Sequence, residues 1–356
     1  MGDSSVMAIN NLHTMSTRRF FLQQSMMAGA GLQLRPVGWL SGKEDAIVMT
    51  VNGPVKPAAM HFTLTHEHVL ADFIGADNYS KERYNVEEVY AIALPFLSEV
   101  KNKGCSTFVD CSPAYLGRDV KLLQRLSAAS GLNIITNTGY YGAVGEKFLP
   151  RFVYNESAEQ LAARWILEWK DGIEGTGIKP GFIKTSVDKA PLSPTQRKII
   201  DAAALTHLAT GLTIGVHTGD GKAATEQLEI LNARGVSPEA RIWIHAQNEK
   251  DSRFHIEAAK KGSWVSFDGV NPNTISENLA SLQTMKNEKL LQHVLVSQDS
   301  GWYNVGQPRG GEFKNYTTIF NQLIPAMEKN GFTRDEIDGL FVINPASAFT
   351  IKVRKQ

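Results

Sequence analysis

Residues 62–69 read FTLTHEHV, a short apolar, β-branched run that ends in His66-Glu67-His68. Side chains at i and i+2 of a strand point to the same side. If this run is extended, His66 and His68 present two imidazoles together and Glu67 turns to the other face. Imidazole pairs are good ligands for zinc and other first-row cations, so a strand ending this way can chelate one metal. A lone His-x-His is common by chance and gains its weight from the rest of the chain.

Four more apolar runs close on a chemically active side chain: GFIKTSV on Lys184, IGVHTGD on His217, IWIHAQN on His245 and LVSQDSG on Asp299. A strand, a crossover helix and the next parallel strand need roughly 30 residues. From Lys184 to His217 is 33 residues and from His217 to His245 is 28, so each gap holds one βα unit. The 54 residues from His245 to Asp299 hold two, with SWVSFDG (263–269) as the strand between. The 116 residues from His68 to Lys184 hold three longer units, with STFVDCS (106–112) and NIITNTG (133–139) as strands. Counting from FTLTHEH gives eight strands. Eight alternating βα units predict an α/β fold, a closed (β/α)8 TIM barrel with its site at the C-terminal ends of the strands.

The segments between read as helices. Residues 119–130 place Val120, Leu123 and Leu126 on one face and stop at Gly131. Residues 157–173 open on Ser157, a good N-cap. Residues 193–211 open on Ser193-Pro194 and end at Gly211, and 222–234 and 251–261 continue the alternation. The stretch Lys43 to Met60 is expected to form a hairpin turning at Asn52-Gly53 and closing the barrel bottom.

With 356 residues and 42% hydrophobic content, the chain can build one large core. A net charge of +1 gives no electrostatic case for nucleic acid. No apolar run approaches the roughly 20 residues that span a bilayer. Cys105 and Cys111 would lie roughly 20 Å apart along a strand, beyond disulfide reach, and are expected as free buried thiols.

The first 40 residues differ in character. Ser16-Thr17-Arg18-Arg19-Phe20-Phe21-Leu22 resembles a twin-arginine export signal, and Ala28-Gly29-Ala30 offers a small-residue cleavage site. The expected organisation is a signal or disordered tail at 1–40 and a single barrel domain at 41–356. The chain is then periplasmic or otherwise exported, with a cytoplasmic location as the alternative.

Lys184 allows two readings. A buried amine close to cations gives up its proton, and the neutral amine can add carbon dioxide to become a carbamate that bridges two metals. Otherwise Lys184 is an ammonium paired with Asp299. Asp299 can ligate a metal and accept a proton from bound water, or it can cap a following helix. His13, His61, His207, His255 and His293 fall outside the strand ends and read as structural or surface residues.

From about residue 46 to the C-terminus the chain resembles the phosphotriesterase family of the amidohydrolase superfamily. The resemblance is carried by FTLTHEHV, the block from STFVDCSPAYLGRD to NIITNTGYY, GTGIKPGFIKTS, the His217 and His245 strands, VSQDSG and FVINPASAF. It implies two divalent ions, zinc by default and manganese, cobalt or iron as alternatives. His66, His68 and Asp299 would hold the more buried ion, and His217 and His245 the more exposed one. A Lys184 carbamate and a hydroxide would bridge them. The implied reaction is attack on a carbonyl or phosphoryl group, with Asp299 taking the proton. The resemblance also implies a homodimer and places Tyr141 beside the substrate.

Departures fall near the site. Ile244 precedes His245 where the family often has glycine, Gln247-Asn248 stand where an acidic residue is common, and Gly269 replaces the arginine that follows Asp268 in lactonase relatives. The long eighth loop offers Trp302, Tyr303 and Arg309 as pocket residues, Arg309 for an anionic group. The expectation is a metal-dependent hydrolase of a lactone or carboxylic ester, with phosphotriesters as side substrates. Its rivals are a phosphodiester, phosphomonoester or amide hydrolase on the same centre, or a non-catalytic metal-binding barrel.

Overall fold

β-Branched and aromatic runs become strands where the spacing places them. A computed structural model describes residues 46–356. The stretch expected to act as an export signal and the expected domain boundary near residue 40 lie outside the described residues. A hairpin comes first, β1 (Val48–Thr50) against β2 (Gly53–Val55). The barrel strands follow: β3 (Thr63–Ala71), β4 (Thr107–Asp110), β5 (Asn133–Ile135) with β6 (Asn137–Thr138), β7 (Phe182–Ser186), β8 (Thr213–His217), β9 (Arg241–Ile244), β10 (Trp264–Phe267) and β11 (Val294–Val296). β5 and β6 are one strand interrupted at Thr136, so the eight predicted strands all form.

All neighbouring pairs are parallel, β3 through β5 in one ladder and β6 through β11 in the next. Chain continuity through Thr136 joins the ladders on one side. On the other, the strand β11 and its extension are tied to β3. Asp299 N donates to His66 O at 3.0 Å, His68 N donates to Ser300 O at 2.9 Å, and His66 N donates to Ser297 Oγ at 3.0 Å. These bonds close the (β/α)8 barrel.

One strand is absent from the sequence reading. β12 (Gly301–Asn304) runs parallel to β3, with Gly301 opposite His68 and Tyr303 opposite Leu70. Its first residue must be glycine: φ is +95°, and a Cβ would collide with the His68 carbonyl and the Tyr316 hydroxyl.

The longer helices are Val86–Asn102, Val120–Ser130, Ala158–Asp171, Pro194–Thr210, Gly221–Ala233, Ser252–Lys260 and Ile275–Asn287, and shorter ones such as Ile324–Lys329 follow β12. Asp119 caps the second, and Ser157 and Ser193 form capping boxes with Gln160 and Gln196. Gly131 and Gly211 end two of them in the left-handed conformation, φ 71° and 77°. The alternation of apolar residues fills the layer between strands and helices, while Val109, Ile135, Phe182, Ile242 and Leu295 fill the barrel interior.

The hairpin does close the bottom, since Val48 and Met60 pack into that interior layer. Its turn, however, is Val51-Asn52 rather than Asn52-Gly53. Val51 is buried and its N–H donates to Ile134 O at 2.8 Å, so packing on the barrel sets the register over the Asn-Gly preference. Cys105 and Cys111 are free and buried, as expected. No described helix is long and apolar enough to cross a membrane.

Candidate metal centre

The strand ends converge. A cavity of about 240 Å³ at the C-terminal mouth of the barrel is lined by His66, His68, Lys184, His217, His245 and Asp299 together. His66 and His68 sit mid-β3 and face inward, as the alternation requires. Lys184 lies in β7 and His217 ends β8. His245 follows β9 in left-handed backbone, φ 65°, and Asp299 follows β11 in the same region, φ 52°. Two side chains of the cluster are therefore held on strained backbone, a cost of about 1–3 kcal/mol each that the surrounding bonds must offset.

Hydrogen bonds decide which ring nitrogens face the cavity. Ser112 Oγ donates to Leu70 O at 2.7 Å, so it must accept from His68 Nδ1, 2.8 Å away. His66 Nδ1 lies 3.0 Å from Asp268 Oδ2, and His245 Nδ1 lies 2.6 Å from Asp268 Oδ1. A carboxylate only accepts, so both Nδ1 atoms carry protons. In the neutral rings, each Nε2 is then left with a lone pair aimed inward.

Those lone pairs crowd. His66 Nε2 and His68 Nε2 are 3.2 Å apart, and Asp299 Oδ1 lies 3.0 Å from the second and 3.6 Å from the first. Asp299 Oδ1 is buried with no hydrogen-bond partner. Three acceptors pointed at one another without a proton between them repel, unless a cation sits among them. The donor set therefore fits a divalent ion. His217 and His245 stand beside it with ring centroids 4.3 Å apart. His66, His245 and Asp268 also approach closely enough to suggest a second metal cluster. Those contacts are N–H to carboxylate bonds, so Asp268 supports the ligands from behind.

The charges agree with this. Burial and then Lys184 drive the His66 imidazole down to about 3. Burial and the neighbouring His245 hold His217 well below its ordinary value. Both rings are therefore neutral and able to ligate. Burial alone would raise Asp268, and His245 and His66 hold it well down instead.

Two alternatives raised by the sequence are not realised. Asp299 stands against the His66, His68 and His245 rings and forms no ion pair with Lys184. Nor does Asp299 cap a helix, because the chain runs on into β12.

Residues 46–349 match the sequence pattern of the phosphotriesterase family. The chain belongs to the phosphotriesterase family. It is 28% identical to the phosphotriesterase homology protein of Escherichia coli over 81% of this chain and 97% of that one. It is also 28% identical to an aryldialkylphosphatase of Saccharolobus solfataricus, over 81% and 95%. A solved organophosphorus hydrolase from Deinococcus radiodurans superposes with a TM-score of 0.76 at 25% identity, covering 85% and 96%. Membership makes this protein a metal-dependent hydrolase, and the family's centre binds two ions.

The four expected substrate contacts divide. Tyr141 lines the cavity, its hydroxyl 3.1 Å from a His217 ring nitrogen. Trp302 lines it as well, 4.8 Å from the His68 ring. Tyr303 does not. It follows Trp302 on β12, so alternation turns it to the helix layer, where its hydroxyl donates to Glu88 Oε1 at 3.0 Å. Arg309 is exposed in a short turn beyond β12 and does not line the cavity.

Asp268, Ser112 and Glu67 escaped the sequence reading as parts of the site. Asp268 closes SWVSFDG as His217 closes its own strand, and that shared position was the signal. Glu67 turns away from the cavity, as expected, yet it is fully buried. It accepts from Ser297 Oγ, Gln298 N and Ser300 N at 2.7, 3.0 and 2.8 Å, clamping the segment that carries Asp299. Burial pushes its carboxyl up to about 8.

Proposed function

We propose that this protein hydrolyses a neutral ester-like substrate, a lactone or carboxylic ester with an apolar portion, and turns over phosphotriesters as a side reaction. The carrying observation is the cavity wall. Around the ligating groups stand Phe73, Leu116, Val144, Phe148 and Trp302, with no arginine in the wall among the described residues. Lys147 also lines the cavity, and its ammonium donates to Phe73 O at 2.7 Å. An anionic phosphomonoester or phosphodiester would find no guanidinium there to meet it.

In this reading His66, His68 and Asp299 would hold one divalent ion, His217 and His245 would hold the other, and Lys184, as a carbamate, would supply a negatively charged oxygen ligand. Zinc is the first choice for such nitrogen and oxygen ligands, with manganese, cobalt or iron able to replace it. When bound, the ions supply Lewis acidity and a water of lowered pKa. The chain's own residues do the rest. Asp268 fixes the tautomer and tilt of His66 and His245. Asp299, as a carboxylate, would accept the proton of an attacking water. Tyr141 and Trp302 close the cavity around the acyl group, and the apolar wall excludes bulk water.

The test is a panel of lactones, aryl esters, phosphotriesters and charged phosphoesters on protein reconstituted with zinc or manganese. Turnover greatest on neutral esters supports the reading, and preference for a charged phosphoester overturns it. Asp299→Asn should abolish turnover with the fold intact. Export by the twin-arginine route and a homodimer complete the proposal, supported by the 16–22 stretch and by the family respectively. Fractionation and light scattering check them.

A further inference from the structure

Gln247 lies two residues past His245, in the short turn Ala246–Asn248 after β9. Its Nε2 donates to Asp268 Oδ1 at 3.1 Å, and its Oε1 accepts from Asp268 N at 3.2 Å. One primary amide thus holds both the side chain and the backbone of Asp268. That is the residue whose carboxylate takes the Nδ1 protons of His66 and His245.

The amide fits there because residue 269 has no side chain. A Cβ on Gly269 would lie 2.6 Å from Gln247 Nε2 and 3.3 Å from its Cδ. Gly269 is not in left-handed backbone. What the site uses is the missing side chain, not an unusual φ. On its far side Gln247 borders an open polar groove of about 720 Å³, shared with Asn248, Asn271 and Thr274. A displaced Gln247 side chain has room to swing into it.

We infer that Gln247 and Gly269 act as a pair that positions Asp268, and through it two of the imidazole ligands. Gln247 is a positioning residue of the metal centre, and the inference rests on the metal-site reading above. Partners behind metal-ligating histidines set ring orientation and basicity, and losing one costs about 10–100-fold in affinity. Gln247 stands one step further back, so its loss is expected near the lower bound.

The experiment titrates the full metal-free chain with cobalt(II), following visible absorption and competing with a chelator. Gln247→Leu keeps the bulk and removes both hydrogen bonds. It should weaken cobalt binding about 10-fold and shift the absorption band. Gly269→Ala should do the same by evicting the amide. In a Gln247→Ala background, Gly269→Ala should add nothing, because there is no amide left to evict. The thermal midpoint of each metal-free variant is read alongside; a purely structural role would lower it and leave the spectrum unchanged. Cobalt binding and spectrum identical between parent and Gln247→Leu overturn the inference alone. A parent chain that takes up no cobalt overturns the metal-centre reading and this one with it.

Discussion

The site works because protons have been removed from its interior and parked behind it. Ser112 and Asp268 take the Nδ1 protons of His68, His66 and His245, so the inner nitrogens can only accept. Asp268→Asn keeps the shape but replaces one carboxylate oxygen with a donor that faces an N–H. Metal affinity should fall by about 10–100-fold, measured by chelator competition, with circular dichroism unchanged. Lys184 is buried within this cluster and unpaired with Asp299. If it serves as a carbamate, uptake of the second metal by metal-free protein should quicken with added bicarbonate, and Lys184→Met should lose both the second metal and the bicarbonate effect. Equal uptake in carbonate-free and bicarbonate buffer would rule the carbamate out. All six ligating candidates were legible in the sequence because each stands at or near the end of an apolar run, where a strand leaves little freedom. Tyr303 and Arg309 were misjudged because their loop turned out to contain a strand, and one residue of register in a strand reverses the face.

At the level of elements, the barrel closes at the seam between β3 and β11, and Glu67 fastens it. Removing its carboxyl in Glu67→Ala leaves the N–H groups of Gln298 and Ser300 and the Ser297 hydroxyl without their acceptor. The cost should be on the order of 3 kcal/mol or more, read from urea denaturation, and turnover should fall further than stability because Asp299 rides on that segment. A second joint is His207. Its Nδ1 donates to Leu212 O at 2.8 Å and its Nε2 accepts from Arg354 N at 2.9 Å, tying the 194–210 helix to β8 and the C-terminal segment. The second bond needs the neutral ring, because a protonated Nε2 cannot accept, and burial holds the His207 pKa below the ordinary 6.5. The unfolded chain therefore binds more protons between the two values, so this contribution is full above pH ~6.5 and is lost as pH falls toward the folded value. His207→Gln should be less stable than the parent at pH 7.5, by about 1–2 kcal/mol, and the gap should narrow by pH 5.5. A gap constant with pH would show that His207 does not titrate on unfolding. Helix limits were readable from caps and glycines. β12 and the hairpin turn were not, since both are set by contacts with distant segments.

For the whole molecule, order along the chain and order in space coincide, which is why a count of βα spacings sufficed to reach the barrel. The same topology has a consequence for assembly. The six candidate groups come from β3, β7, β8 and the ends of β9 and β11, so the full cluster assembles only when the ring closes. Parallel strands joined by long crossovers are slow to find one another, and metal affinity is then part of folding affinity. Export of a finished barrel suits such a protein better than threading an unfolded chain into a compartment where other cations compete. Replacing Arg18 and Arg19 together by lysine should therefore trap active, metal-loaded enzyme in the cytoplasm of an expressing bacterium. Fractionation with a lactone or ester assay on each fraction reads this directly. The same distribution of activity for parent and variant would show that the arginine pair is not an export signal.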